Sequence, residues 1–219
     1  MLKFNAIYQG DCLELLKEVP DASIDFVCCD LPFGITNCAW DVKIDLGKFW
    51  AEINRVTKFN AACAMFAKSK FLIELANSNL KNYRYKWVWQ KNLAVGFLNA
   101  KRMPLCAHED ILIFYRKLPT YNPQFTPGKP YCRNRKPLTT KIYSTQPKQT
   151  ITYSDKRFPQ DYLSAKTFRT TEHSTQKPVE LLEYLIKTYS NEGEVVLDAC
   201  IGSGSTAVAA INTGRQFIG

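Results

Sequence analysis

Short apolar runs alternate with helix-length amphipathic stretches through most of this chain, and few folds accommodate that alternation. Residues 4–9 (FNAIYQ), 23–29 (SIDFVCC), 61–67 (AACAMFA), 83–90 (YRYKWVWQ), 109–115 (EDILIFY), 194–200 (EVVLDAC) and 215–218 read as strands. Among the helices, 11–19 carries Leu13, Leu15 and Leu16, and a later one carries Phe49, Trp50, Ile53 and Val56. The stretches 71–80, 178–189 and 205–213 also read as helices. Runs such as 23–29 and 61–67 are apolar on both sides, so both faces of their sheet must be covered. The pattern predicts an α/β fold, an open and mainly parallel twisted sheet with helices on both faces. With 219 residues, 46% of them apolar, the chain is long enough to bury such a core.

The alternation stops between 117 and 172. This stretch is rich in proline, threonine, lysine and aromatic residues and has no sustained periodicity. It reads as an inserted functional segment or a partly disordered one. The organisation expected is a main domain of 1–116 with 173–219, interrupted by an insertion at 117–172. The chain carries a net charge of +9, much of it here: Lys129, Arg133, Arg135, Lys136, Lys141, Lys148, Lys156, Arg157 and Lys166 face only Asp155 and Asp161. So local a cationic excess suits a polyanionic partner.

Cys12, Cys28, Cys29, Cys38, Cys63, Cys106, Cys132 and Cys200 are scattered, without a CxxC pair or a histidine-rich neighbour. Neither a disulfide scaffold nor a metal site is expected. Cys28 and Cys29, adjacent in an apolar strand, should face opposite sides of the sheet. No apolar run reaches the roughly 18 to 20 residues that span a bilayer. The opening MLKFNAIYQGDC lacks the apolar core of a signal peptide. A soluble cytoplasmic protein with no membrane partner is expected.

Four places carry candidate chemistry. Cys29-Asp30-Leu31-Pro32-Phe33-Gly34 follows a buried strand, at the end where open α/β sheets bind ligands. Asp30 offers an anionic acceptor, Pro32 stiffens the turn and Phe33 offers a flat ring; a plain strand-ending turn with Phe33 in the core is the structural alternative. Asp198-Ala199-Cys200-Ile201-Gly202-Ser203-Gly204-Ser205-Thr206-Ala207 runs from strand through a glycine turn into a helix, which lets a ligand approach the backbone. It formally matches GxGxxA, so a dinucleotide is the rival ligand, although no complete βαβ unit follows within the 219 residues. His173-Ser174-Thr175-Gln176-Lys177-Pro178 precedes a helix. The hydroxyls and Pro178 read as capping residues, but Lys177 puts a cation where the helix end is already positive, an arrangement suited to a carboxylate. Asp11, in Gly10-Asp11-Cys12, is either a helix cap or an acceptor for a ligand amino group.

DLPFG, HSTQKPVELLEYLIK and DACIGSGST, in that order, resemble the β class of DNA amino-methyltransferases, and KWVWQKNLAVGFLNAKRMPLCAHEDILIFYRK is similar to the same family. The resemblance covers nearly the whole chain except about 117–170. It implies a circularly permuted Rossmann-like methyltransferase that uses S-adenosylmethionine, with a target-recognition insertion. Asp30 and the Leu31 carbonyl would accept hydrogen bonds from the target amino group, beside Pro32, and Phe33 would stack on the base. Asp198, Cys200, Gly202, Ser203, Gly204, Ser205 and Thr206 would shape the cofactor pocket. Lys177 would pair with the methionine carboxylate, with Thr175 or Gln176 nearby, and Asp11 and Cys12 would meet the adenine.

Leu31, Ser174 and Ala199 stand where the family carries proline, and the sequence given reaches Gly219 without the acidic residue that would follow the last strand to bind the ribose. Transfer to adenine N6 of a flipped base in double-stranded DNA is the activity implied. Asp as the first motif residue favours adenine; cytosine N4 and a non-catalytic DNA-binding relative are the alternatives. A restriction endonuclease and a second copy of the chain are candidate partners.

Overall fold

The computed structural model describes residues 1–34, 41–135, 149–166 and 176–219, and within these the side chains of 133–135 and 149–153 are left aside. The chain divides into two units, Met1–Asn122 with Asp161–Gly219, and Pro123–Gln160. Residues 117–122 and 161–166, read from sequence with the insertion, fall in the larger unit.

The larger unit is built on a seven-stranded sheet. In chain order its strands are β1 (Ile24–Cys29), β2 (Thr57–Ala67), β3 (Tyr83–Val95), β4 (Cys106–Tyr115), then β7 (Tyr162–Ser164), β8 (Val195–Leu197) and β9 (Gln216–Ile218), while β5 and β6 belong to the smaller unit. The spatial order is β7-β3-β4-β2-β1-β8-β9. All neighbours are parallel except β4, which runs antiparallel to both β2 and β3. The mainly parallel α/β sheet expected from the sequence is therefore present.

Side chains alternate across it as a two-residue period requires. Cys63, Met65, Leu112, Phe114 and Cys29 join one core cluster, and Ala62, Ala64, Phe66, Ile111, Ile113 and Cys28 join the other. The adjacent cysteines do face opposite sides. The first cluster is closed by α1 (Cys12–Leu16), α2 (Leu46–Val56) and α3 (Ser69–Ser78). In α2 the buried Phe49, Trp50, Ile53 and Val56 form one stripe. Asp45 caps its start by accepting from Lys48 N at 3.1 Å.

The second cluster is closed by α4 (Val179–Tyr189) and α5 (Ser205–Asn212). Leu181, Leu182, Leu185, Ile186 and Tyr189 are buried on α4, and the small Ala207, Ala209 and Ala210 let α5 pack closely. The helices thus change face between β1 and β8, and that switch opens a crevice at their carboxyl ends.

The expected strand at 4–9 is reduced to a single bridge, Ala6 to Ile218. Asn5 takes a left-handed backbone, φ 59°, which interrupts an extended strand. Its side chain accepts from Phe217 N at 3.2 Å in place of a ladder bond.

The smaller unit is an antiparallel hairpin of β5 (Thr126–Arg135) and β6 (Gln149–Arg157), with Thr126 opposite Arg157 and Tyr131 opposite Ser154. Cations lie over its rings: the Arg157 guanidinium is 4.6 Å from the Tyr131 centroid and Lys156 Nζ 5.9 Å from that of Phe125. Phe125 also packs on Phe158 at 4.8 Å.

Candidate active site

β1 and β8 are parallel neighbours, with Phe26 opposite Val196 and Val27 opposite Leu197. Asp30 and Asp198, one step beyond each strand, therefore leave the same edge of the sheet. Their environments differ. Asp198 is consumed by its own loop: Oδ1 accepts from Cys200 N at 3.0 Å and Oδ2 from the Thr206 hydroxyl at 2.6 Å. It is 4% exposed. Burial pushes its carboxyl up to about 6 against those two hydrogen bonds. Asp198 and Thr206 thus fasten the exit of β8 to the start of α5.

Between them the glycine turn stands over open space. Gly202 and Gly204 have φ of 53° and 80°. A Cβ built on Gly202 would find only the Cys200 carbonyl oxygen, at 3.9 Å. Gly202 and Ser203 are exposed, and the Ser203 and Ser205 hydroxyls lie 3.0 Å apart.

Asp30 belongs to a different construction. Its Oδ2 accepts from Lys177 Nζ at 2.5 Å, and Lys177 Nζ also lies 3.6 Å from Glu109 Oε2. Glu109 Oε1 in turn accepts from Lys91 Nζ. Four segments meet here: the end of β1, the approach to α4, β4 and β3. Asp30 Oδ1 is buried and has no hydrogen-bond partner among the described residues. Burial raises the Asp30 carboxyl, and Lys177 takes back part of that rise. Burial also works to raise Glu109, but Lys177 and Lys91 outweigh it and hold Glu109 below the usual carboxylate range. Burial works to lower Lys177, but Asp30 and Glu109 outweigh it and keep the ammonium charged.

The remaining expected residues fall as follows. Leu31 is buried, 2% exposed, and Pro32 is half-buried beside it. Phe33 stacks on Phe71, with centroids 4.9 Å apart and planes at 26°, so one face of the ring offered to a base is already covered. Asp11 caps α1, accepting from Leu13 N at 2.8 Å and Glu14 N at 3.3 Å. Cys12 and Cys200 are half-buried, and the Cys200 thiol interacts with those of Cys12 and Cys29. Gln176 is exposed. Thr175, with His173 and Ser174, lies outside the described residues. The N-cap of α4 is Pro178, without a side-chain cap, in place of the hydroxyl cap expected.

Glu109 and Lys91 escaped the sequence reading; the available signal was an acidic pair, Glu109-Asp110, at the entrance to an apolar strand. Among the described residues no group of three or more His, Cys, Asp or Glu side chains is placed to hold a metal ion. No described helix is long and apolar enough to cross a membrane.

An open sheet whose crevice joins a bare glycine turn to a carboxylate with one unengaged oxygen defines a class of α/β enzymes that hold a nucleoside cofactor and act on a second substrate beside it. Residues 24–219 match the family model described as DNA methylase, and the chain belongs to that family. It is 27% identical to the type II methyltransferase M1.MboII of Moraxella bovis over 100% of this chain and 92% of that protein. It is 29% identical to the DNA adenine methyltransferase YhdJ of Escherichia coli K12, over 97% of this chain and 76% of that one. Its fold is similar to the crystal structure of the M1.HpyAVI–SAM complex, with a TM-score of 0.65 and 22% identity over 97% of this chain and 91% of that one.

Proposed function

We propose that this DNA methylase transfers a methyl group from S-adenosylmethionine to adenine N6 in double-stranded DNA. The observation that carries the reading is the asymmetry of Asp30, with one oxygen engaged by Lys177 and the other buried without a partner among the described residues. The residues at the crevice fit the cofactor: the exposed turn over open space at Gly202 admits close backbone approach. Gly202, Ser203, Gly204 and Ser205 would hold it, with Asp11, Cys12, Asp198, Cys200 and Thr206 shaping the pocket. Thr175, Gln176 and an N–H of Lys177 not engaged by Asp30 would serve its carboxylate. When bound, the cofactor supplies an electrophilic methyl group on a sulfonium.

An exocyclic amine is a weak nucleophile because its lone pair delocalises into the base. Asp30 Oδ1 and the Leu31 carbonyl accept its two N–H groups and draw nitrogen toward a tetrahedral shape, which relocalises that pair. Lys177 holds Oδ2 so that the acceptor is fixed before the amine arrives, and catalysis rests on positioning and electrostatics. Asp30 Oδ1 is the nearest base for the proton that nitrogen sheds after transfer. The part of the Phe33 ring not stacked on Phe71 would support the extruded base.

Adenine is chosen over cytosine N4 because Asp opens the motif and because the Escherichia coli relative is named an adenine enzyme. The basic hairpin unit is assigned to target recognition. A restriction endonuclease cutting at the same site is the partner to seek, since the Moraxella relative is named a type II methyltransferase. Genomic DNA incubated with protein and S-adenosylmethionine, then sequenced for modified bases, tests the reading. N6-methyladenine at one recurring site is expected; N4-methylcytosine or unmodified DNA overturns it.

A further inference from the structure

We infer that Glu109 is a positioning residue for methyl transfer: it holds Lys177 against Asp30 Oδ2 and so leaves Asp30 Oδ1 as the fixed acceptor. The inference rests on the reading of Asp30 just given. In the register of the sheet Glu109 lies opposite Trp89, and Lys91 follows two residues later on the same side of β3. The neighbouring Asp110 points to the other side and takes its own partner, Lys86, at 2.7 Å. The two acidic neighbours are thus separated, one to a partly buried pair with Lys86 and one to the crevice.

From Lys91 to Asp30 the charges run plus, minus, plus, minus, so the cluster buries no net charge. A bare Lys91–Glu109 pair would already satisfy β3 and β4. It does not require the second contact, 3.6 Å from Glu109 Oε2 to Lys177, which comes from the approach to α4. That contact is too long for a hydrogen bond, and Glu109 Oε2 has none among the described residues. It therefore acts as a Coulombic stay, drawing the ammonium to one side of Asp30 while leaving its hydrogen bond to Oδ2 intact. Lys177 Nζ also stands 5.0 Å from the Phe66 ring centroid, and Lys91 Nζ 4.5 Å from that of Trp89, so aromatic walls limit where either cation goes.

The groups that bear on Asp30 are Lys177, Glu109 and Lys91, with Asp198 and the Cys28 and Cys29 thiols behind it. Lys68, at the start of α3, bears on Glu109. Within this set Glu109 raises the Asp30 carboxyl, and Lys177 and Lys91 lower it. Glu109→Gln removes an anion, which alone would lower the Asp30 titration, but it also frees Lys177, the larger influence, so Asp30 should not titrate at lower pH. Lys91→Gln removes a cation and loosens Glu109, so Asp30 should titrate at higher pH.

The test uses the full chain. Methyl transfer to DNA is measured as kcat and KM, and carboxylate titration is followed by carbon NMR on the free protein, with the Asp30 signal assigned through Asp30→Asn. For Glu109→Gln, kcat should fall about tenfold or more with KM for the cofactor nearly unchanged, as a loss of alignment requires. Its Asp30 signal should not move down in pH, and Glu109→Asp should recover part of the rate. A folded Glu109→Gln variant with wild-type kcat, or one whose rate falls while Asp30 moves down in pH as the loss of an anion alone requires, overturns the inference. If Glu109→Gln does not fold, Lys91→Gln decides: lower kcat with an upward Asp30 shift supports the relay, and an unmoved Asp30 ends it. A wild-type protein that transfers no methyl group refutes the proposed function, while the titration still decides the position of Glu109.

Discussion

The two oxygens of Asp30 differ in what they touch, and the chemistry proposed depends on that difference. Asp30→Ala removes both, so methyl transfer should drop more than tenfold, at least about 1.4 kcal/mol of transition-state stabilisation. Calorimetric affinity for S-adenosylmethionine should stay close to wild type. The pH dependence follows from the same side chain. Burial raises its carboxyl, and a proton on Oδ1, the oxygen not engaged by Lys177, turns the acceptor into a donor, so the single-turnover rate falls as pH drops through its titration. Lys177→Met removes the cation that opposes burial, and the acid limb should move to higher pH; a limb that stays in place would detach Lys177 from Asp30. Both residues were legible as members of short motifs. Their ion pair was not, because it joins positions 147 residues apart and no local pattern encodes a contact across that separation.

Among the elements, the junction of β8 with α5 is set by one carboxylate that bonds Cys200 N and the Thr206 hydroxyl. Thr206→Val keeps the shape and leaves Oδ2 without its donor, so urea unfolding should show a loss of about 1 to 3 kcal/mol. Asp198 should then titrate above its present value of about 6, since the hydroxyl lowers it. The β5–β6 hairpin carries a second prediction. Replacing 123–160 by the matching segment of a relative should move the methylated sequence and keep the target atom. A merely non-specific basic arm would instead change only the salt dependence of binding.

β1, β2 and β4 were readable as continuous apolar runs buried on both faces, and α2 by its three- to four-residue apolar stripe. The hairpin was not. Pro127 and Pro130 break any alternation in β5, and its pairing to β6 is set by residues far along the chain. Segment 4–9 erred the other way: its apolar rhythm suggested a strand, and the left-handed Asn5 limits it to one bridge.

For the molecule as a whole, the sheet brings together what the sequence keeps apart. β1, which leads to Asp30, and β8, which leads to the glycine turn, lie side by side although α2, α3, α4 and four strands of the larger sheet intervene in the chain between them. The outermost pairing goes further. Tyr8 N donates to the Gly219 carbonyl at 2.7 Å, Gly219 N to the Ala6 carbonyl at 3.2 Å, and Asn5 N to the Phe217 carbonyl at 2.6 Å. Residues 5–8 and 217–219 are thereby zipped to each other, and in spatial terms the polypeptide of the larger unit is a ring. A ring has no first motif. If a linker of about four to six residues sealed it and it were opened at the exposed turn Asn191–Glu194, the strand carrying the glycine loop would come first and Asp30 would follow. Such a rearranged polypeptide should fold, by circular dichroism and urea titration, to the same secondary structure, because every ladder named above survives the cut. The order of Asp30 and the glycine turn along such a polypeptide then depends only on where the ring is opened, and the crevice is indifferent to it.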